Sequence, residues 1–368
     1  MKTYRAVIGL CVALAVGSAD CARAQSTEAQ TIADNFSSLT KLITAGSYIA
    51  GLGFAIASTL KFKVHKDNPT QLPIGTTVGS LAIDTYRAVH DSMSCPVFAG
   101  NGTLLAEDTC VWAKATGDQE NDSGDITNSA MGRVGGQLQV APGWFVGGTL
   151  GLGGSWLQTG TGLYETGQSF DASVVLKRVD GPLFLAGALS VSTASTTYNL
   201  SGNSGVYIPG APNTFTTNLR LRGAYEFPFE SWYLRPRTDV DIGYARTSGL
   251  QIVAPSATLT LDGTSKTTVM FTPAVEIGAR FDIGPGRILR PYVVAGATIL
   301  TDTSIPFSGN FNGFSFNGTS YNTPVIARVE AGLQLYEVKS WEMKLEYLLS
   351  AADSYLDQSL GVRVARHF

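Results

Sequence analysis

Few side chains in this 368-residue sequence could do chemistry at a catalytic or metal site. The three histidines are His65, His90 and His367, and they lie far apart in the sequence. The motifs G-x-S-x-G, H-E-x-x-H, C-x-x-C and the Walker glycine loop do not occur. The acidic run 118–125 could hold a cation, but a solvated loop is the simpler interpretation. We therefore expect a protein that is not an enzyme and has no catalytic, metal-binding or cofactor-binding residue.

The first 80 residues divide into a leader and a short upstream segment. Residues 1–24 have the basic start, apolar stretch and A-x-A site of a secretory signal peptide, which predicts cleavage between Ala24 and Gln25. Residues 25–80 form a short passenger or a hydrophobic helical segment. Its uncharged stretch 42–60 has the length of a transmembrane helix, but its glycines equally suit a helix packed on protein. Both interpretations stay open.

Part of this upstream segment resembles a known family. The stretch 41–75, which begins Lys41-Leu-Ile-Thr-Ala-Gly-Ser-Tyr48, is similar to a small inner-membrane subunit of Dot/Icm-type type IV secretion systems. That family continues into a second apolar span, whereas this chain continues with Ser80-Leu-Ala-Ile-Asp84 and further charged residues. The resemblance implies a membrane component of a secretion system.

Residues 81–108 are predicted to hold a helix and a linker. With helical spacing, one face has an apolar stripe formed by Leu81, Tyr86, Val89 and Met93. The polar edge beside it is formed by Asp84, Arg87 and Asp91. Cys95 and Cys110 are the two cysteines that remain after cleavage of the leader. Because exported chains are oxidised, we expect a disulfide between them rather than two free thiols.

From residue 109 to residue 368 the sequence alternates with a period of two. In the last strand, apolar residues such as Val362 and Val364 alternate with polar residues such as Arg363. Twelve strand candidates begin near Thr109, Asn128, Trp144, Ser169, Leu183, Phe215, Ser231, Thr268, Leu289, Val325, Trp341 and Tyr355. Short turns alternate with long Gly/Ser/Thr/Asn loops at 199–214, 246–267 and 302–324. This layout predicts an all-β fold, a twelve-stranded antiparallel transmembrane β-barrel.

The two faces of these strands have different predicted roles. Charges on the polar face would line the lumen, and the predicted lumen charges are Arg220, Arg222, Arg235, Arg237, Asp239, Asp241, Glu276, Arg280, Arg328, Glu330 and Arg363. In a soluble sandwich we would expect no such row of arginines facing a core. On the apolar face, Val362, Val364 and Phe368 are the predicted C-terminal assembly signal.

The stretch 109–368 resembles the translocator domain of autotransporters. Cys110-Val-Trp-Ala-Lys-Ala-Thr-Gly117 is similar to the tryptophan-containing first strand of that family, and Val134-Gly-Gly-Gln-Leu138 to its glycine-rich second strand. Arg290-Pro-Tyr292 is a further similarity, whereas Arg366 departs from the apolar residue that is more usual there. The resemblance implies that a helix runs through the barrel lumen, and 81–93 is the candidate.

This resemblance also implies a place and a task. The barrel would lie in the outer membrane of a Gram-negative bacterium, and would anchor and translocate or display a short N-terminal segment. Expected partners are outer-membrane lipid, the barrel-insertion machinery and periplasmic chaperones, around a monomeric barrel. The net charge of −3 gives no support for a nucleic-acid partner, and no cofactor is expected. A free-standing channel or porin and a secretion-system component remain alternatives.

Overall fold

The computed structural model describes residues 87–93, 95–122, 125–158, 163–200, 209, 212–254, 257–321, 324–337, 341–353 and 355–368. The predicted leader with its Ala24–Gln25 cleavage site, the segment 25–80 and the first six residues of the predicted helix lie outside these ranges. Within them, no helix is both long and apolar enough to cross a membrane.

Twelve long strands form one closed antiparallel sheet. They are β1 Cys110–Asp122, β2 Asp125–Ala141, β3 Trp144–Gln158, β4 Leu163–Asp180, β5 Leu183–Leu200, β6 Asn213–Tyr225, β7 Trp232–Thr247, β8 Thr264–Ala279, β9 Arg287–Leu300, β10 Val325–Glu337, β11 Trp341–Ala352 and β12 Tyr355–His367. Each strand pairs with its neighbours in sequence, and β12 pairs with β1, where Val364 lies opposite Ala113. The predicted twelve-stranded antiparallel barrel is therefore confirmed.

Alternate residues of each strand lie on opposite sides of the barrel wall. In β6, Arg220 and Arg222 are buried, while the leucines that precede them, Leu219 and Leu221, are 39% and 53% exposed. A soluble fold would bury the leucines and expose the arginines. The reversed pattern places apolar side chains against lipid and polar side chains in the lumen.

The two rims of the barrel differ in their connections. At one end Pro142-Gly143 joins β2 to β3 and Gly181-Pro182 joins β4 to β5, with the positive φ angles of Gly143 (71°) and Gly181 (55°) making the turns tight. The three longest connections, 201–212, 248–263 and 301–324, are all at the other end, and we call the two ends the short-turn rim and the long-loop rim. Outer-membrane barrels have short periplasmic turns and long extracellular loops. The long-loop rim is thus the cell-surface side.

Two of the long loops contain strands that the sequence did not predict. The predicted loops 246–267 and 302–324 together form a four-stranded sheet, made of Leu250–Ala254, Ala257–Leu261, Ser304–Phe311 and Phe314–Tyr321. The loops join where Leu261 lies opposite Gly309. Runs of five to eight residues are too short for their alternation to stand out among Gly, Ser and Thr.

The chain enters the barrel through a helix and a small hairpin. Residues 87–92 are helical, and a hairpin of Pro96–Phe98 with Leu105–Glu107 follows. A disulfide joins Cys95 to Cys110, whose Cα atoms are 6.4 Å apart. The helix and β1 are therefore linked both through the hairpin and directly through the disulfide.

Candidate functional site

The helix at 87–92 packs inside the barrel on an apolar part of the lumen wall. Val89 and Met93 are fully buried, and they form one cluster with Val175, Phe184, Ala186, Ala188 and Ala224 of β4 to β6. The alanines leave room for the helix. Full burial of one such large side chain stabilises by about 1.5 to 3 kcal/mol. We call this cluster the apolar seat.

The opposite edge of the helix is fixed by ion pairs. The Arg87 guanidinium lies 2.9 Å from a carboxylate oxygen of Asp118 on β1 and 2.9 Å from one of Asp357 on β12. All three side chains are buried. The sequence interpretation of 118–125 as a solvated loop is wrong for Asp118, because β1 extends to Asp122 and turns Asp118 into the lumen.

One turn further along the helix, Asp91 contacts two cations of the wall. Lys114 Nζ donates to Asp91 at 2.6 Å, and Arg133 Nη1 donates to it at 3.1 Å. Lys114 also donates to Glu346 at 2.8 Å, and Arg133 lies 2.9 Å from Asp171. These buried charges form a continuous network from the helix into β1, β2, β4 and β11.

Another part of the wall is paired within itself. Arg220 and Arg222 of β6 lie opposite Asp241 and Asp239 of β7 in the strand register. Each arginine Nε donates to its aspartate at 2.7 Å, and each second bond comes from Nη2. Each of these charges therefore has an opposite charge on the neighbouring strand, without a contribution from the helix.

The remaining wall, on β7 to β11, is built around tyrosines. Tyr233 donates its hydroxyl to Glu276 at 2.6 Å and accepts a bond from Arg290 Nε at 2.8 Å. Tyr292 donates to Glu330 at 2.9 Å. Arg290 and Tyr292 belong to the Arg-Pro-Tyr motif of β9, so that motif supplies two neighbouring lumen side chains.

Three of these residues could be considered as metal ligands. One donor atom each from His90, Glu330 and Glu346 lie within 4.8 Å of one another. Lys114 already binds Glu346, and Arg237 Nη2 already donates to Glu330 at 3.3 Å. A metal cation would have to displace these fixed positive charges, so the arrangement disfavours it.

The hairpin between helix and β1 crosses the short-turn rim. Thr103 Oγ1 donates to the carbonyl of Phe229 at 2.7 Å, and Arg280 Nη1 donates to the carbonyls of Gly100 and Gly102 at 2.8 and 2.9 Å. These bonds reach turns that follow β6 and β8. The hairpin is therefore attached to the side of the rim opposite β1.

Two carboxylates also hold the hairpin at this rim. Burial opposes the ionisation of Glu107, but the Lys177 ammonium at 2.9 Å holds the pKa of Glu107 below its usual value. Glu226, in the turn after β6, accepts a bond from the Leu105 N–H at 2.8 Å. Burial raises the pKa of Glu226 to about 7, although the bond from Leu105 opposes this shift.

The comparison with protein families decides what this barrel is. The model of the autotransporter beta-domain family matches residues 111–347, which is more than half of the chain. The chain belongs to the autotransporter beta-domain family. It is a translocator barrel of the Gram-negative outer membrane, and it is non-enzymatic.

Solved structures agree with this assignment at the level of the fold. The translocator domain of the autotransporter NalP from Neisseria meningitidis is similar with a TM-score of 0.62 and 14% identity, over 80% of this chain and 98% of that one. The beta domain of the Bordetella autotransporter BrkA is similar with a TM-score of 0.54 and 18% identity, over 71% of this chain and 100% of that one. Among the curated proteins, none matches this chain.

The autotransporter barrel places the other predicted lumen charges in varied surroundings. The guanidinium of Arg235 lies 5.0 Å from the ring centre of Phe184, and that of Arg363 lies 5.0 Å from the ring centre of Trp112. Arg328 lines a narrow gap beside the helix. Arg280 is at the short-turn rim, where it bonds to the hairpin rather than to other lumen charges.

The predicted assembly residues lie along the seam of the autotransporter barrel. Val362 and Val364 of β12 are opposite Ala115 and Ala113 of β1. Phe368 follows β12, and its N–H donates to the carbonyl of Thr109 at 3.1 Å. Because the buried Arg363 between the two valines faces the lumen, the alternation of β12 places Val362 and Val364 on the lipid side, and Phe368 is 69% exposed.

Sequence reasoning missed the apolar seat and the hairpin. In Leu183-Phe-Leu-Ala-Gly-Ala-Leu189 both faces of the strand are apolar, so alternation could not identify the inward side. A signal was present in the small residues Ala186 and Ala188, which alternate with Leu185, Gly187 and Leu189. The hairpin strands have three residues each and show no measurable period.

Proposed function

We propose that this barrel anchors the chain by its lumen helix and leads the upstream segment to the cell surface. One observation carries the proposal, namely the order of contacts along β1. Arg87 pairs with Asp118 and Asp91 with Lys114. Because β1 runs from the short-turn rim toward the long-loop rim, the helix start lies nearer the cell surface than its end.

The filling of the lumen supports a plugged barrel. The gap beside the helix, lined by His90, Arg237 and Arg328 among others, has room for only about two water molecules. A free-standing porin would need a continuous aqueous path. The narrow gap favours display of the upstream segment over permeation.

We also infer how the barrel reaches its membrane. The barrel-insertion machinery and periplasmic chaperones would handle the chain as a monomer, and Val362, Val364 and Phe368 would form the assembly signal. Support comes from their position on the lipid side of the β12–β1 seam, where the last strand of the barrel pairs with the first. The outer-membrane lipid surrounding the barrel follows from its family.

The proposal is tested by labelling intact cells. A peptide tag inserted between residues 25 and 80 should bind antibody on intact cells, because the chain upstream of the helix leads outward. The same tag inserted at Gly181, in a short turn, is the matched control and should bind only after the outer membrane is permeabilised. Equal labelling of both tags before permeabilisation, or of neither, would contradict the proposed direction.

Conductance separates the display function from the channel alternative. In a planar bilayer the intact protein should stay mostly closed, and deletion of residues 81–93 should open it. Porin-like conductance of the intact protein that does not change on deletion would favour the free-standing channel.

A further inference from the structure

We propose that the Cys95–Cys110 disulfide is a stop that limits how far the chain can rise through the pore. It rests on the proposed function, because it requires a lumen helix whose upstream chain leads outward. Within the described residues, the only covalent links between the end of the helix and the start of β1 are the peptide chain 96–109 and this disulfide. The disulfide would thereby set the register of the helix against the lumen wall.

The first argument is the reach of the chain. Cys95 and Cys110 are 15 residues apart, and an extended chain of that length spans about 50 Å at roughly 3.3 to 3.6 Å per residue. The apolar band of an outer-membrane barrel is only about 25 Å tall. Without the disulfide, residues 96–109 would be the tether between the helix and β1, and this tether is long enough for the helix to travel the full depth of the membrane.

With the disulfide, the tether is very short. The Cα atoms of the two cysteines are held 6.4 Å apart, and Cys110 begins β1 at the short-turn rim. Asp91 is only four residues before Cys95, so its contacts with Lys114 and Arg133 fall within the permitted travel. The disulfide therefore selects the position in which the helix charges meet their partners.

The second argument is the shape of the closed loop. Residues 96–109 do not trail as an open chain, because they form a hairpin bound to the opposite side of the rim by Thr103 and Arg280. A hairpin closed by a disulfide is wider than a single strand of chain. It would resist entry into a lumen that the helix already fills.

Both cysteines are placed where the bond is protected. They are 1% exposed and pack with Trp112 and Ala365, and Arg363 Nη2 lies 3.1 Å from the Cys95 sulfur. Solvent reductants have little access to the bond in this position. A permanent mechanical link requires such protection.

The test is a two-by-two comparison in planar bilayers. One change is Cys95→Ser with Cys110→Ser, and the other is an insertion of ten Gly/Ser residues at the exposed hairpin turn Gly100–Gly102. The disulfide excludes the hairpin from the tether, so the insertion alone should leave the pore closed. The double serine variant should open at least tenfold more often, and the insertion in that background should increase opening further.

Controls distinguish a defect in barrel assembly from loss of the limit that the disulfide sets on the helix. Heat-modifiable gel mobility should be the same for all four proteins. If the serine variant does not insert, the natural chain folded in vitro with a thiol reductant present gives the same unlinked state. Thr103→Ala, which keeps the disulfide and removes one hairpin anchor, should stay closed.

The outcomes are distinguishable. Porin-like conductance of the natural protein would overturn the proposed function itself. A closed natural protein whose unlinked forms are equally closed would overturn only the stop. Opening caused by the insertion with the disulfide intact would also overturn it, because the hairpin would then be the limiting element.

Discussion

The lumen has two kinds of charged wall, which differ in what satisfies their charges. On the helix-facing wall, Lys114 and Arg133 are paired with Asp91, a residue of the helix. On the self-paired wall, Arg220 and Asp241 are paired across neighbouring strands. Both sets are buried, so the difference is not one of solvation.

This difference assigns separate tasks to the two walls. Loss of one partner from a buried ion pair leaves the other charge buried without a counter-charge, which is strongly unfavourable. If the helix left the pore, charges on the helix-facing wall would lose partners, whereas the self-paired wall would be unchanged. The helix-facing wall is thus a docking site for the chain's own segment, and the self-paired wall stabilises the barrel.

The largest expected effect is on the self-paired wall. Arg220→Met leaves Asp241 without its forked partner and removes the 3.7 Å contact with Asp239. Breaking a buried pair in this way costs about 3 to 5 kcal/mol. The free energy of unfolding, measured in urea with the barrel in lipid vesicles, should fall by that amount, while pore opening stays unchanged.

A paired replacement is the control for this variant. Arg220→Met combined with Asp241→Leu removes both charges of the main pair and should recover much of the lost stability. A loss below about 1 kcal/mol for Arg220→Met alone would be typical of a solvated surface pair. That result would remove the distinction between the two walls.

The next effect is on the helix-facing wall. Asp91→Asn weakens two charged contacts, although Lys114 keeps Glu346 and Arg133 keeps Asp171. Because each wall cation keeps one partner, we expect a cost of about 2 kcal/mol. This corresponds to a roughly thirtyfold rise in the open fraction of the pore in planar bilayers.

Asp241→Asn is the matched control, because it makes the same chemical change on the other wall. It should lower the free energy of unfolding and leave the open fraction as it was. If Asp91→Asn and Asp241→Asn had the same effect on both measurements, the helix would not be linked to one wall more than to the other.

Alternation explains how much of this could be predicted. A period of two is imposed by the strand itself, so the inward side of Arg220, Arg237 and Glu276 and the starts of most strands could be derived from the sequence. Alternation did not identify Asp118 as an inward-facing strand residue, because a dense acidic run at the end of a strand has the same composition as a loop. Placement in the fold, not residue type, decides between them.

The partners within the lumen could not be derived. Arg87 and Asp357 are 270 positions apart, and their contact depends on the strand register and on the height of the helix in the pore. The sequence identified the charges on both but could not give that height. Only the closure of β12 on β1 brings Asp357 and Asp118 to one side of Arg87.

A smaller effect is expected at the apolar seat. Ala188→Leu adds three carbons where Val89 packs, and overpacking costs typically 1 to 3 kcal/mol. We expect about 1 kcal/mol, because the helix can shift slightly. The open fraction should rise about fivefold. Val191→Phe, on the lipid side of the same strand, adds bulk in the membrane and should change nothing; equal effects would reject the seat.

The smallest effect is a pH dependence at the short-turn rim. Burial under the hairpin raises the pKa of Glu226 to about 7 from an ordinary value of 4.5. Since docking raises this pKa, docking takes up a proton. The contribution of Glu226 to the stability of the docked hairpin is therefore fully present below about pH 4.5, and it is lost as the pH rises through about 7. The pore should therefore open slightly more often at pH 8 than at pH 5.

Glu226→Gln tests the cause of that dependence. The amide oxygen can still accept the bond from the Leu105 N–H, but it does not titrate over this range. The variant should behave at both pH values as the natural protein does at pH 5. An unchanged pH dependence in Glu226→Gln would place the titrating group elsewhere, and a steeper closure toward pH 8 would contradict the sign. Because the disulfide still holds the hairpin, the effect should stay below the fivefold change expected at the apolar seat.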